Sequence, residues 1–489
     1  MHPARASEQH RSWTVLLLAV ALLTGYRAWV IVHNQLPLFF DEAQYWIWSR
    51  HPAWGYYSKP PMVAWVIGLF AMAGESELAI RCGTLLLHAL SALLAYALGR
   101  RMLGSAAGLA AGLLFASLPI VGFNSLFMTA DAPLFFFWAL ACLALWRALN
   151  GNAWADWLLL GIAAGLGMLS KYSMAIFAPS ACLVLCLPHY RAHWRNPRCW
   201  LAVLLALLVF APNLWWNAQT DFVSFRHTAE ISQLGRTLFH PARLAGFTAA
   251  QFACMGPIAF GLLLLALGAP STWRDPKRGF LAALTLPFLL LIGLQALLAR
   301  ANPNWAAPAY FTGSLLLVAH WSLQRRRWLA AIIIASNLLL LSGFYHYRAL
   351  ASAAGVELTR KTDPYARLRG WPAAGQAVGQ VLARHPDAVL AVGTRDEFAL
   401  LNYYVRPHPD FMRIWNPQHR RQNHFHLVAD AGGERGANFI FATRQPMGEA
   451  SAAAFEHWTA LGRLTVPLYR DEQLTLYLYR GDRFKGYQP

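Results

Sequence analysis

Two adjacent carboxylates, Asp41 and Glu42, open a polar segment directly after the first long apolar run of this 489-residue chain. Ionisable groups at the mouth of a spanning helix are costly and are usually kept for function. Tyr45, Trp46, Trp48, Trp54, Tyr56, Tyr57 and Trp65 follow, an aromatic density suited to short helices lying in a membrane interface. Lys59 precedes Pro60 and Pro61, a cation on a rigid turn that fits a phosphate or a lipid headgroup. A structural reading stands beside the chemical one, with Asp41 capping a surface helix and the rings anchoring it. Further along, Asp131 lies two residues before Pro133 at the head of an apolar run, a good N-cap arrangement. Lys171 breaks two short apolar runs, and a lysine at membrane depth costs about 2.5–3.5 kcal/mol. Snorkelling is its structural alternative.

Such groups need elements to hold them, and composition indicates the kind. Hydrophobic residues make up 57% of the chain and charged residues 13%, about half the charge of a soluble domain. The mean hydropathy is +0.35. Forty-one Lys and Arg against 23 Asp and Glu give +18, a balance that in a soluble protein points to nucleic acid. Its distribution points elsewhere. Residues 1–347 hold ten of the acidic side chains and net +13, whereas 348–489 hold thirteen and net +5. A long, acid-poor apolar region followed by a shorter ordinary one reads as a membrane domain, 1–347, and a soluble domain, 348–489.

A spanning helix needs about 20 apolar residues. Eleven runs are candidates, near 12–34, 79–98, 104–123, 132–149, 155–170, 173–188, 199–214, 243–267, 280–299, 305–321 and 328–347. The first is too long for a cleaved signal peptide. An inside N-terminus, with Arg5 and Arg11, puts Arg100–Arg101, Arg147, Arg191/Arg195/Arg198, Arg274/Lys277/Arg278 and Arg325–Arg327 on one side, as cytoplasmic loops require. Loops 35–78, 124–131, 171–172, 215–242 and 300–304 then face outward with the tail. Lys59, Lys171, Arg226 and Arg300 are among the basic residues that depart from the rule.

The tail alternates helical and strand patterns. Trp371–Arg384, Asp396–Tyr404 and Glu449–Leu461 read as helices, and Ala388–Val392, Asn438–Ala442 and Leu474–Tyr479 as strands, which suggests a small α/β domain. No GxGxxG or Walker sequence is present, so nucleotide binding has no support. The six cysteines, Cys82, Cys142, Cys182, Cys186, Cys199 and Cys254, lie in or beside apolar runs without metal spacing and read as small hydrophobes.

The string Phe40-Asp-Glu-Ala-Gln-Tyr45-Trp-Ile-Trp-Ser49, then Gly55-Tyr-Tyr-Ser-Lys59-Pro-Pro-Met-Val-Ala-Trp65, resembles the first outer loop of the GT-C glycosyltransferases of the dolichyl-phosphate-mannose/protein-mannosyltransferase superfamily. Bacterial members that use polyprenyl-phosphate sugars to modify lipid A and core oligosaccharide with galacturonic acid or aminoarabinose are most similar. Thr129-Ala-Asp131-Ala-Pro133, Leu169-Ser-Lys171-Tyr172, Pro212-Asn213-Leu-Trp-Trp-Asn217, Phe225-Arg-His-Thr228 and Asn304-Trp-Ala-Ala-Pro-Ala-Tyr310 follow in order along the whole membrane domain. The resemblance implies that Asp41 acts near the acceptor as general base, taking the proton of an attacking hydroxyl. It ranks Glu42 second and makes Asp131 the second acidic site residue. Lys59, Lys171, Arg226 and His227 become candidates to hold the donor's phosphate, a leaving group that needs charge stabilisation more than a proton. Tyr45, Tyr56, Tyr57 and Tyr172 become candidate substrate contacts. Aminoarabinose transferases carry Glu-Lys-Pro where this chain has Ser58-Lys59-Pro60, so a metal ligand of that type is missing. No metal site and no required cofactor are expected.

The sequence thus points to a helical multi-pass membrane protein of GT-C type, about eleven spans with the outer loop 35–78, followed by an outer α/β domain, in the bacterial inner membrane. The implied activity is transfer of a sugar from a polyprenyl phosphate to lipid A or lipopolysaccharide core. A protein acceptor is the alternative. A flippase for a lipid-linked anion is the rival class, disfavoured because no Gly/Pro-interrupted helices recur at matching places in two repeats.

Overall fold

The computed structural model describes residues 3–232 and 239–487. Among these, six helices are long and apolar enough to cross a membrane: Ser7–His33, Glu77–Leu103, Asp131–Gly151, Pro197–Gln219, Pro276–Leu298 and Arg327–Tyr345. The protein is a multi-pass membrane protein. The remaining apolar runs form shorter helices. The run 104–123 divides into Ser105–Ser117 and Pro119–Asn124, where Pro119 starts a new helix. Residues 155–170 and 305–321 appear as Trp154–Ser170 and Ala309–Trp321, and 173–188 begins as a 3-10 turn before Phe177–Cys186.

The run 243–267, expected as one span, is instead Pro241–Met255 and Pro257–Gly268, bent by 114°. Gly256 adopts φ +101°, a conformation L side chains rarely take, and Pro257 contributes no N–H to a continuing helix. Asn337 sits against Gly256, where an added Cβ would lie 1.9 Å from its Oδ1.

The chain forms two compact units. The first comprises Met1–His33, Ala53–Gly55 and Lys59–Tyr345, the second Asn34–Pro52, Tyr56–Ser58 and His346–Pro489. The outer loop, placed by sequence with the membrane domain, is therefore divided, and its acidic helix Phe40–Arg50 folds with the C-terminal unit.

In the membrane unit close helix contact depends on small residues. A Cβ on Gly108 would stand 2.7 Å from the Tyr96 carbonyl, so only glycine lets Ser105–Ser117 press against Glu77–Leu103. Trp138, fully buried, packs edge-on against Phe177 (5.2 Å) and Phe288 (5.0 Å). Three buried hydroxyls are satisfied within the bundle: Thr285 and Thr312 share a bond of 2.9 Å, and Ser180 donates to the Ile176 carbonyl.

The C-terminal unit is built on a five-stranded sheet, β1 (Ala388–Val392), β2 (Met412–Ile414), β3 (Asn438–Thr443), β4 (Phe455–Pro467) and β5 (Gln473–Phe484), in the order β2-β1-β3-β5-β4. β1 runs parallel to β2 and β3, while β5 is antiparallel to β3 and β4. Phe439, Phe441, Phe455 and Phe484 fill one face. The helix expected over Glu449–Leu461 is corrected: it ends at Ala453, and Phe455 begins β4. Eleven register pairs with β5, from Phe455↔Phe484 to Pro467↔Gln473, outweigh a local pattern that reads as helical.

One buried polar centre ties the unit's entry to its sheet. Asp363 accepts from Arg369, the hydroxyls of Tyr347 and Tyr469, and the Tyr365 N–H. Burial pushes its carboxyl up, but these four donors win and hold it below the usual range.

Candidate active site

The acidic helix Phe40–Arg50 starts at an extended Phe39, and Glu42, at its third position, accepts the Phe39 N–H at 2.9 Å. Glu42 is 1% exposed, so its carboxylate closes the helix start. Asp41 points differently. Its side chain is 34% exposed and lies 3.2 Å from the guanidinium of Arg395, the first residue of helix Arg395–Tyr404. Arg395 also covers the ring of Phe40 at 4.7 Å. The two helices are packed by Trp46 against Tyr403 (5.1 Å, edge-on), and Leu38 N–H donates to the Tyr404 hydroxyl at 2.7 Å. Thr394 caps the second helix in a box with Glu397, a buried carboxylate that also receives the Arg444 N–H and guanidinium.

Around this pair the outer-loop aromatics are committed to packing. Tyr56 stacks on Trp48 at 4.4 Å and donates to the carbonyls of Trp48 and His51, while Tyr57 donates to the Arg421 carbonyl. Tyr45 is buried beside Trp48 at 5.1 Å. His424 meets both Trp48 and Tyr56 edge-on, and burial, with His51 nearby, lowers its pKa to about 4.

The second constellation lies in the membrane unit. Asp131 heads helix Asp131–Gly151 and is 5% exposed. Lys171 reaches one carboxylate oxygen at 2.6 Å, and Asn304 Nδ2 donates to the other at 2.8 Å. A lysine and a carboxylate in apolar surroundings thus neutralise each other, and a third element pins the pair. Lys171 leaves helix Trp154–Ser170 in extended conformation, the break that lets it turn to Asp131. Next to it, Tyr172 bonds Asn213 and Asn217 (3.3 Å each) and packs on Phe225 at 4.7 Å, and Asn213 donates to the Trp54 carbonyl at 2.6 Å.

With both constellations in view, the similarity to known proteins becomes interpretable. The profile of the dolichyl-phosphate-mannose-protein mannosyltransferase family matches residues 58–216. Over 306 residues the chain is 36% identical to the lipid A galacturonosyltransferase RgtD of Rhizobium johnstonii, which covers 62% of this chain and 64% of that protein. It therefore spans just under two thirds of that relative. Over 421 residues it is 29% identical to the undecaprenyl phosphate-alpha-4-amino-4-deoxy-L-arabinose arabinosyl transferase of Pseudomonas paraeruginosa, covering 76% of this chain and 71% of that one. The crystal structure of ArnT from Cupriavidus metallidurans in the apo state aligns over 96% of this chain and 98% of its own, with 16% identity and a TM-score of 0.65. The chain is thus similar over much of its length to sugar transferases of this kind, and it shares the fold of ArnT. A structure of the same ArnT bound to undecaprenyl phosphate aligns with a TM-score of 0.63.

Of the residues singled out by sequence, the structure brings Asp131 and Lys171 together and places Tyr172 next along the chain. Lys59 is half-buried in the membrane unit. Arg226 is exposed and His227 half-buried on helix Val223–Ser232. Arg395 went unnoticed, because its Thr394-Arg-Asp-Glu397 string reads only as a helix start. Asn213, Asn217 and Asn304 stood inside quoted motifs without a role. Among the described residues no group of three or more His, Cys, Asp or Glu side chains is arranged to hold a metal ion.

Proposed function

We propose that this protein transfers one sugar from a polyprenyl-phosphate donor to an envelope glycolipid, lipid A or lipopolysaccharide core, with inversion at the anomeric carbon. The observation that carries the reading is the 36% identity with a lipid A galacturonosyltransferase. An acceptor oxygen attacks the anomeric carbon while the bond from that carbon to the phosphate oxygen breaks, and the phosphate leaves with the electron pair. A hydroxyl acceptor passes its proton to Asp41, whose exposure and adjacent Arg395 suit a positioned base. A phosphate acceptor arrives anionic, and Asp41 then positions it. Lys59, Arg226 and His227 supply positive charge or hydrogen bonds to the leaving phosphate. Lys171 is bound to Asp131, which takes its charge.

The reaction is assigned to the outer face of the inner membrane, with the N-terminus cytoplasmic and the C-terminal unit periplasmic. The one-sided clustering of Lys and Arg in alternate loops supports this orientation. The test is to incubate purified protein with polyprenyl-phosphate sugars and envelope lipids, following released polyprenyl phosphate and the lipid masses. A mass increment on lipid A or core, with stoichiometric release, is expected. Sugar movement across vesicles with no transfer to any lipid would sink the proposal in favour of a flippase.

A further inference from the structure

One cavity of the membrane unit, about 430 Å3 in volume, has no part in either constellation. Its lining is Arg243, Gly246, Phe247, Arg300, Ala301 and Pro303. Two arginines thus border one hollow whose other lining residues are apolar. Among the described residues neither meets a carboxylate. The walls are locked together: Gln251, 1% exposed, donates to the carbonyls of Phe247 (2.9 Å) and Pro303 (3.4 Å), and accepts from the Tyr310 hydroxyl. One residue beyond Pro303, Asn304 holds Asp131. The hollow is therefore preformed and directly continuous in sequence with the Asp131 centre.

Arginine matches phosphate by paired N–H donors, and two arginines match the charge of a phosphate monoester better than that of a single carboxylate. Free phosphate would need neither the apolar wall nor this much room. We propose that the cavity binds a lipid-borne phosphate, with Arg243 and Arg300 on the phosphate and Phe247, Ala301 and Pro303 against the first apolar groups beside it. The proposal rests on the transferase reading only for which lipid carries the phosphate, the donor or the acceptor.

Equilibrium binding to the purified full chain, without turnover, separates the two. Undecaprenyl phosphate, lipid A, lipid A stripped of its phosphates and inorganic phosphate are the probes. The double variant Arg243→Gln/Arg300→Gln is expected to weaken binding of one phosphorylated lipid by roughly ten- to a hundredfold. Loss for undecaprenyl phosphate identifies the donor, and loss for lipid A the acceptor. Gly246→Leu keeps both charges and fills the hollow, since a Cβ at Gly246 meets nothing within 4 Å, and should weaken the same lipid. Binding of both lipids within twofold of wild type in both variants overturns the site. So does an equal loss for stripped lipid A, or displacement by inorganic phosphate at the lipid's own concentration. A chain that binds through these arginines yet transfers nothing would keep the cavity and discard the transferase.

Discussion

Two aspartates make the useful comparison. Asp131 is buried in the membrane unit with Lys171 and Asn304 on its two oxygens, whereas Asp41, in the C-terminal unit, is a third exposed and faces Arg395. A carboxylate enclosed by two partners is held as a fixture, because moving it would leave a lysine charge unpaired in low dielectric. Asp41 is reached by solvent and lies beside an arginine, and we propose that it is the one that meets substrate. The same residue type is thus enclosed in one unit and a third exposed in the other.

The largest effect should come from the exposed aspartate. Asp41→Asn is expected to lower kcat by about 10²–10⁴-fold with an unchanged unfolding midpoint, read as polyprenyl-phosphate release. Activity within tenfold of wild type would erase the distinction drawn above.

Lys171→Met should act on stability first, costing on the order of 3–5 kcal/mol by stranding a buried charge, in detergent thermal unfolding. Adding Asp131→Asn should restore much of it. If the two losses simply add, the pair is not coupled.

The C-terminal unit should also be the acid-sensitive one at His424. With its pKa lowered to about 4, His424 stays neutral in the folded chain while the unfolded chain takes a proton from about pH 6.5 downward. Its contribution is then full above about pH 6.5, is lost between about pH 6.5 and 4, and levels off below 4, a change of about 3 kcal/mol in total. Hydrogen exchange over 424–428 at pH 7 and pH 4.5 measures it, and His424→Leu should flatten the dependence.

The smallest effect is assigned to Arg395→Ala, about tenfold in kcat with little change in KM, recovered in part by Arg395→Lys. An increase in KM alone would make Arg395 a binding residue instead of a support for Asp41.

Much of this was readable in the chain. β1 falls on the predicted residues because Ala388–Val392 is a short apolar run bounded by turn formers. The long spans follow from hydropathy alone. The bend at Gly256-Pro257 was written in a dipeptide that marks turns, yet the apolar run around it masked the signal. β4 was not readable, since its partner β5 decides its state and lies beyond it in the chain. Of the two ionic pairs, Asp131, Lys171 and Asp41 were legible as single residues and Arg395 was not. Lys171 and Asp131 stand 40 positions apart, and Arg395 meets Asp41 because Trp46 and Tyr403 pack their helices together.

The acidic helix Phe40–Arg50 and its tyrosines fold with residues 346–489 although they are threaded between segments of the membrane unit. The C-terminal unit is therefore discontinuous in the gene, and it cannot be lifted out as one piece. A chimera that exchanges 346–489 alone would seat a foreign surface on Trp46 and Leu38. Swapping 34–58 together with 346–489 is the transplant that keeps the joinery intact.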